Sequence, residues 1–185
     1  MNSVSRIGDY KFSQDDKLLL DANIWLYLFA PPSKPSGYAT KVYSEAFKRI
    51  LSAKSQVVLS STILSEYLNR YCRIEWGARF KEVHPDFKSF RQSQDYFQVG
   101  NGAATYARAM LKQSRRVDDG FAGTDIAAVL GDFESGRSDF NDGLLVSACA
   151  SNSWKLVTHD GDFKEGGIHV LTDNAKLITA CGKKE

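Results

Sequence analysis

Four acidic residues stand where short apolar runs give way to turns or helix starts. Asp21 follows Lys17-Leu18-Leu19-Leu20, and Asp160 follows the run ending Val157-Thr158-His159. Glu66 lies one turn inside the helix expected after Val57-Val58-Leu59-Ser60, and Asp142 lies at the start of another. Carboxylates in this number suit magnesium, a hard cation that takes oxygen ligands and keeps several waters. Two such ions about 4 Å apart can clamp the attacking and leaving oxygens of a phosphodiester. Clustered carboxylates repel one another without a cation, and some take up protons. Each acid alone has an ordinary explanation: a turn residue for Asp21 and Asp160, a dipole partner for Glu66, a helix cap for Asp142. Their joint placement carries the reading.

Bringing them together requires strands that end at one rim. The apolar runs predict strands over 17–20, 57–60, 155–158 and 168–171. Helices are expected over 23–29, stopped by Pro31, Pro32 and Pro35, and over 40–52, with a stripe of Val42, Ala46, Phe47, Ile50 and Leu51. Ser61 or Thr62 is expected to cap a helix carrying Ile63, Leu64, Tyr67, Leu68 and Tyr71. Further helices are expected over 103–114 and 141–151. Residues 75–100 read as a helical excursion interrupted by Pro85, 124–130 as either strand or short helix, and 131–139 as loop. Strands alternating with helices imply a parallel sheet covered on both faces, with ligands beyond the carboxyl ends of the strands.

The chain has 185 residues, 43% hydrophobic and 25% charged, which fits one domain with a real core. The N-terminus has no apolar signal core, and no stretch is apolar enough to span a bilayer, so no membrane partner is expected. Cys72, Cys149 and Cys181 are odd in number and lack CxxC spacing, which argues against a disulfide framework and for a reducing cytoplasm. The net charge of +2 is unevenly spread. Residues 69–116 carry ten Lys/Arg against four Asp/Glu, and 117–143 carry seven acids against Arg137 alone. A basic block beside an acidic one is either a phosphate-tracking surface next to a cation pocket or plain solvated surface.

The segments KLLLDANIWLYLF, LSSTILSEYLNRY, SDFNDGLLVSACA and KLVTHDGDF resemble the PIN-domain nucleases, particularly VapC-like ribonuclease toxins. The resemblance covers roughly 17–172 and implies a three-layer α/β/α PIN-like fold with a central mostly parallel sheet. The chain would then be one domain over 1–185, with a helical insertion at about 72–120. It further implies cleavage of RNA dependent on Mg2+ or Mn2+, with Asp21, Glu66, Asp142 and Asp160 as catalytic acids and metal ligands. Asn23 and Thr158 would support them, Asp139 could assist Asp142, and Asp162 is the near alternative to Asp160. The implied partners are an RNA substrate and an antitoxin whose cationic or aromatic side chains would occupy the acidic pocket. The chain departs from the family in the length between Tyr71 and Asp139, which could serve as lid, clamp or docking element, and in Gly-Leu-Leu-Val-Ser where an alanine-rich helix is usual.

Arg70, Arg73, Arg108, Lys112, Arg115 and Arg116, placed on expected helices, are candidate RNA-backbone contacts or a solvated face. Trp76, Tyr96, Phe97 and Tyr106 could stack on bases, though core packing explains aromatics as well. A homodimer is expected, with Tyr27, Leu28 and Phe29 as a seam that core burial explains equally. His159 is expected to be an exposed turn residue, and His84 and His169 structural. Two other classes compete. Haloacid-dehalogenase-like phosphatases place Asp at the first strand end but need DxDxT, and Asn23 stands at the second acid. A non-catalytic PIN-like RNA- or protein-binding module would not need all four acids. Within the nuclease reading, a processing enzyme is the alternative to a toxin.

Overall fold

The computed structural model describes residues 1–181. Its strands are β1 (Ser3–Arg6), β2 (Lys17–Leu20), β3 (Gln56–Leu59), β4 (Arg115–Arg116), β5 (Lys155–Val157) and β6 (His169–Thr172). They form one sheet in the order β1-β6-β5-β2-β3-β4, with every pairing parallel. The central runs are apolar without alternation because helices cover both faces. Leu18, Leu19, Leu20, Leu156, Val157, Val170 and Leu171 are all fully or nearly fully buried.

The helices are α1 (Ala22–Leu28), α2 (Tyr38–Ser52), α3 (Ser61–Glu75), α4 (Phe87–Arg91), α5 (Asp95–Gln113), α6 (Ile126–Glu134), α7 (Phe140–Asn152) and α8 (Ala175–Cys181). Helix α1 packs on α2 and α3, and α3 packs on α5; α6 packs on α7, which lies against β5. This is the three-layer α/β/α arrangement. From β2 the chain crosses to β3 on one side, whereas β5 lies on the other, so the topological switch falls between β2 and β5.

The two ends of the sheet differ in charge. At the amino end, Asp16 pairs with Lys155 and accepts from the Tyr10 hydroxyl at 2.9 Å. At the carboxyl end, β6 ends on Thr172, and the residues that follow β5, β2 and β3 are Thr158, Asp21 and Ser60, all buried and polar. Arginines stand only on the two edge strands there, Arg6 beside Thr172 and Arg116 beside Leu59.

Several sequence expectations change. The polar leader holds β1, a half-exposed edge strand with no apolar run to betray it. Arg115 and Arg116 are not helical. Helix α5 stops at Gln113 because Ser114 turns extended (φ −137°, ψ 155°), and the two arginines form the other edge strand beside Val58 and Leu59. The sheet is therefore regained before the insertion's expected end. Residues 126–134 are helical, capped by Asp125, so the loop expected from 131 begins later. Ser60, rather than Ser61 or Thr62, caps α3. Helix α2 buries Tyr43, Ala46 and Ile50, and Leu51 is 41% exposed.

The excursion after α3 is packed rather than loose. A π-helical turn (Trp76–Phe80) leads to α4, and Phe80 and Phe90 stack at 5.0 Å in the same contiguous core as the strands. The three cysteines are buried and free. Among the described residues, no helix is long and apolar enough to cross a membrane.

The loop between β5 and β6 closes tightly on α7 at Gly166. Its φ is +116°, and a Cβ there would lie 2.2 Å from Val146 Cγ1. Gly166→Ala is expected to cost about 1–3 kcal/mol in urea unfolding. Gly167→Ala, at φ +70° in open space, should cost only about 1 kcal/mol, and adding Val146→Ala to Gly166→Ala should recover part of the loss. Equal costs at Gly166 and Gly167 would contradict this packing.

Candidate active site

The site grows from the polar row beyond the switch point. Asp21 is the N-cap of α1, 5% exposed, and its backbone N–H continues the sheet by donating to Val157 O at 3.0 Å. Its carboxylate oxygen Oδ2 accepts from Thr158 Oγ1 at 2.7 Å and from Asn23 Nδ2 at 2.5 Å. The Thr158 hydroxyl in turn accepts from Asn23 Nδ2 at 3.2 Å and from the Asp160 N–H at 3.0 Å. Asn23 Oδ1 accepts the His159 N–H at 3.2 Å. Two chain segments more than a hundred residues apart are thus laced through one aspartate, one asparagine and one threonine.

Burial pushes the Asp21 pKa up to about 6, with the Glu66 charge adding to it and the Thr158 hydrogen bond opposing it. Asp142, half-buried in the first turn of α7, is pushed up to about 7, first by burial and then by the charges of Asp139, Asp21, Asp160 and Glu66. The other three predicted acids therefore fall within electrostatic reach of Asp142. Asp139 caps α7 by accepting from the Asn141 N–H at 2.8 Å, and its charge bears on Asp142. Asp162 is exposed, and its N–H donates to Asp160 Oδ1 at 3.1 Å, shaping the turn. Glu66 projects from α3, with Arg70 Nη1 at 3.1 Å.

An all-carboxylate donor set in which Asp21 and Asp142 have raised pKa values fits a hard divalent cation, which would relieve the repulsion. Among the described residues, no three acids already close into a ligand cluster. The side chains meet at electrostatic rather than contact distance. Beside Asp142, an open groove of about 730 Å³ runs between α6, α7 and the 162–166 loop; its charged lining is mainly acidic, with Asp125, Asp132, Asp139 and Asp142 among the acids and Arg137 and Lys164 as the cations.

The basic candidates separate. Only Arg70 touches one of the four acids. Arg73 lies 4.5 Å over the Phe87 ring, and Arg108 and Lys112 are exposed on α5. Of the proposed stacking residues, Trp76, Tyr96 and Tyr106 pack on the core, and Phe97 is 78% exposed. Tyr27, Leu28 and Phe29 are half-buried against the core. His84 and His169 make structural contacts to Asp95 and Ser5.

His159 is not an incidental surface residue. Its Nδ1 lies 2.9 Å from the Tyr43 hydroxyl, and its ring meets Tyr27 and Tyr43 edge-on. Burial lowers its pKa. The Tyr43 hydroxyl also lies 3.1 Å from Thr158 O and accepts from the Asp173 N–H at 3.0 Å. It pins the chain on both sides of the acidic turn. Nothing in the sequence marks this tyrosine, since a helical tyrosine reads as ordinary core.

Fold and site together define an α/β/α domain with an oxygen-donor centre at the carboxyl edge of a parallel sheet. The PIN domain family model matches residues 18–168, and the chain belongs to that family, whose members are nucleases. A chain of VapBC2 from Rickettsia felis, solved bound to a DNA fragment from its promoter, is similar in structure at a TM-score of 0.53 and 15% identity. The match covers 84% of this chain and 98% of that one, a likeness of fold. No curated protein sequence matches.

The raised Asp142 pKa fixes the sign of a pH effect. Between the unfolded value of 3.8 and the folded value of about 7, the folded chain holds a proton that the unfolded chain has released. That stabilisation is complete below pH 3.8 and is lost as pH rises through about 7. His159 and His169, lowered by burial, act oppositely but cancel in a comparison with Asp142→Asn. In chelator, the variant should gain roughly 1–3 kcal/mol on wild type between pH 5 and 8. Magnesium should raise the wild-type melting temperature more at pH 8 than at pH 5. A wild-type-minus-variant difference that stays flat with pH would contradict the assignment.

Proposed function

We propose that the chain is a Mg2+- or Mn2+-dependent endoribonuclease that hydrolyses RNA phosphodiester bonds, and the toxin of a toxin–antitoxin pair. The convergence of Asp21, Glu66 and Asp160 on Asp142, whose ionised form their charges disfavour, at the carboxyl edge of a PIN-family sheet carries this reading. These four would hold one or two cations. A bound cation supplies charge neutralisation at the reacting phosphate and a lowered pKa for the attacking water.

The chain's own residues do the rest. Thr158 and Asn23 hold Asp21 at a single oxygen and favour its ionised form. Arg70 tethers Glu66. Asp139 fixes the first turn of α7 and so the position of Asp142. Asp160 is the fourth acid of this reading, since its charge bears on Asp142 and its backbone N–H donates to the Thr158 hydroxyl that holds Asp21, while Asp162 shapes its turn. Attack by water on the phosphorus with the P–O3′ bond breaking and the 3′ oxygen taking a proton would leave 5′-phosphate and 3′-hydroxyl ends.

The likeness to a VapBC2 chain supports the toxin role, and the acidic groove beside Asp142 suits a partner's cationic side chain. The long packed α3–α5 excursion favours a processing nuclease instead.

Asp21→Asn and Glu66→Gln should each reduce RNA cleavage in magnesium by ~10²-fold or more while leaving circular dichroism unchanged. Full activity in Asp21→Asn would overturn the proposal. Growth arrest on expression, relieved by an adjacent small reading frame, would support the toxin role; cleavage without arrest would support processing.

A further inference from the structure

Lys34 is half-buried in the loop after α1. Its ammonium lies 4.0 Å over the Tyr27 ring and donates to Leu26 O at 3.1 Å. Among the described residues it pairs with no carboxylate. Burial and the Arg70 charge both disfavour its ionised form. Arg70 is itself paired with Glu66 at 3.1 Å, so Lys34 is left as a half-buried cation that an anion would satisfy.

The loop that carries Lys34 is built rather than loose. Phe29 O accepts the Tyr67 hydroxyl at 2.9 Å, and the Lys34 N–H donates to Pro31 O at 2.9 Å. The Ser33 N–H donates at 2.7 Å to Glu75, a carboxylate 1% exposed at the end of α3. Glu75's other oxygen is taken by Arg79 at 3.1 Å, so this acid is occupied and does not neutralise Lys34.

The site adjoins the acidic centre by two routes. In α1, Tyr27 lies one turn beyond Asn23, and in α3, Arg70 lies one turn beyond Glu66; the two helices pack together. Tyr27 also meets the His159 ring at 5.8 Å, next in sequence to Asp160. Both faces of Tyr27 are taken, one by Tyr43 stacked at 5.6 Å and one by Lys34, so it supports a cation rather than a base.

We propose that Lys34, held over the Tyr27 ring, contacts one backbone phosphate of an RNA strand next to the acidic centre. This rests on the ribonuclease reading and adds to it where the strand runs.

The test uses the full chain carrying Asp21→Asn, a single-stranded oligoribonucleotide and fluorescence anisotropy between about 50 and 200 mM salt. Adding Lys34→Met, which keeps the stem over Tyr27, should weaken binding several-fold at low salt and make the salt slope shallower by about 0.7. Lys34→Arg should restore both. Lys34→Gln serves as a second neutral variant if Lys34→Met fails to fold. An unchanged affinity and slope would overturn the subsite, as would a weaker affinity with an unchanged slope, which marks lost packing. If the parent chain binds no RNA and wild type cleaves none, the ribonuclease reading itself falls and takes the subsite with it.

Discussion

The folded chain concentrates negative charge that it does not neutralise itself. Asp142 and Asp21 carry pKa values raised to about 7 and about 6 because burial and neighbouring acids disfavour their ionised forms. A protein selected only for stability has simple ways to remove this cost, such as a lysine in the cluster or an amide in place of an acid. This molecule uses the first device elsewhere, where Lys155 neutralises Asp16 at the amino end of the sheet. At the carboxyl end Arg70 pairs with Glu66, but among the described residues Asp21, Asp142 and Asp160 have no cationic partner, and a divalent cation would satisfy them.

Holding such a centre together demands rigid support. The sheet supplies it by ending β6 on Thr172 and by placing Thr158, Asp21 and Ser60 at its carboxyl edge. Thr158 then serves Asp21, Asn23 and Asp160 with one hydroxyl. Behind it, Tyr43 ties the β5 turn to the end of β6, and Gly166 lets the following loop close on α7, which carries Asp142. All of these contacts except that between Thr158 and Asp160 span distant parts of the sequence, so the geometry exists only in the folded state.

Much of this was legible in the linear chain. The pattern of apolar residues closed by a polar one, in LLL-D, VVL-S and KLV-T, marks three strands and the edge where they stop. Parallel topology follows from the intervening helices, and the rim position of Asp21, Glu66, Asp142 and Asp160 follows from topology. What stayed hidden has physical causes. Edge strands such as Ser3–Arg6 and Arg115–Arg116 bury little and need no apolar run. Tyr43 and Lys34 act through contacts that only tertiary packing creates. Whether His159 lies free or clasped depends on a helix more than a hundred residues earlier.

The central claim is that four carboxylates share one divalent-cation centre. Calorimetric titration of manganese into wild type and into Asp21→Asn, Glu66→Gln, Asp142→Asn and Asp160→Asn tests it most directly. The account expects binding by wild type and an affinity at least ~10-fold weaker for every variant. No manganese binding by wild type, or full wild-type affinity in Glu66→Gln or Asp142→Asn, would contradict it.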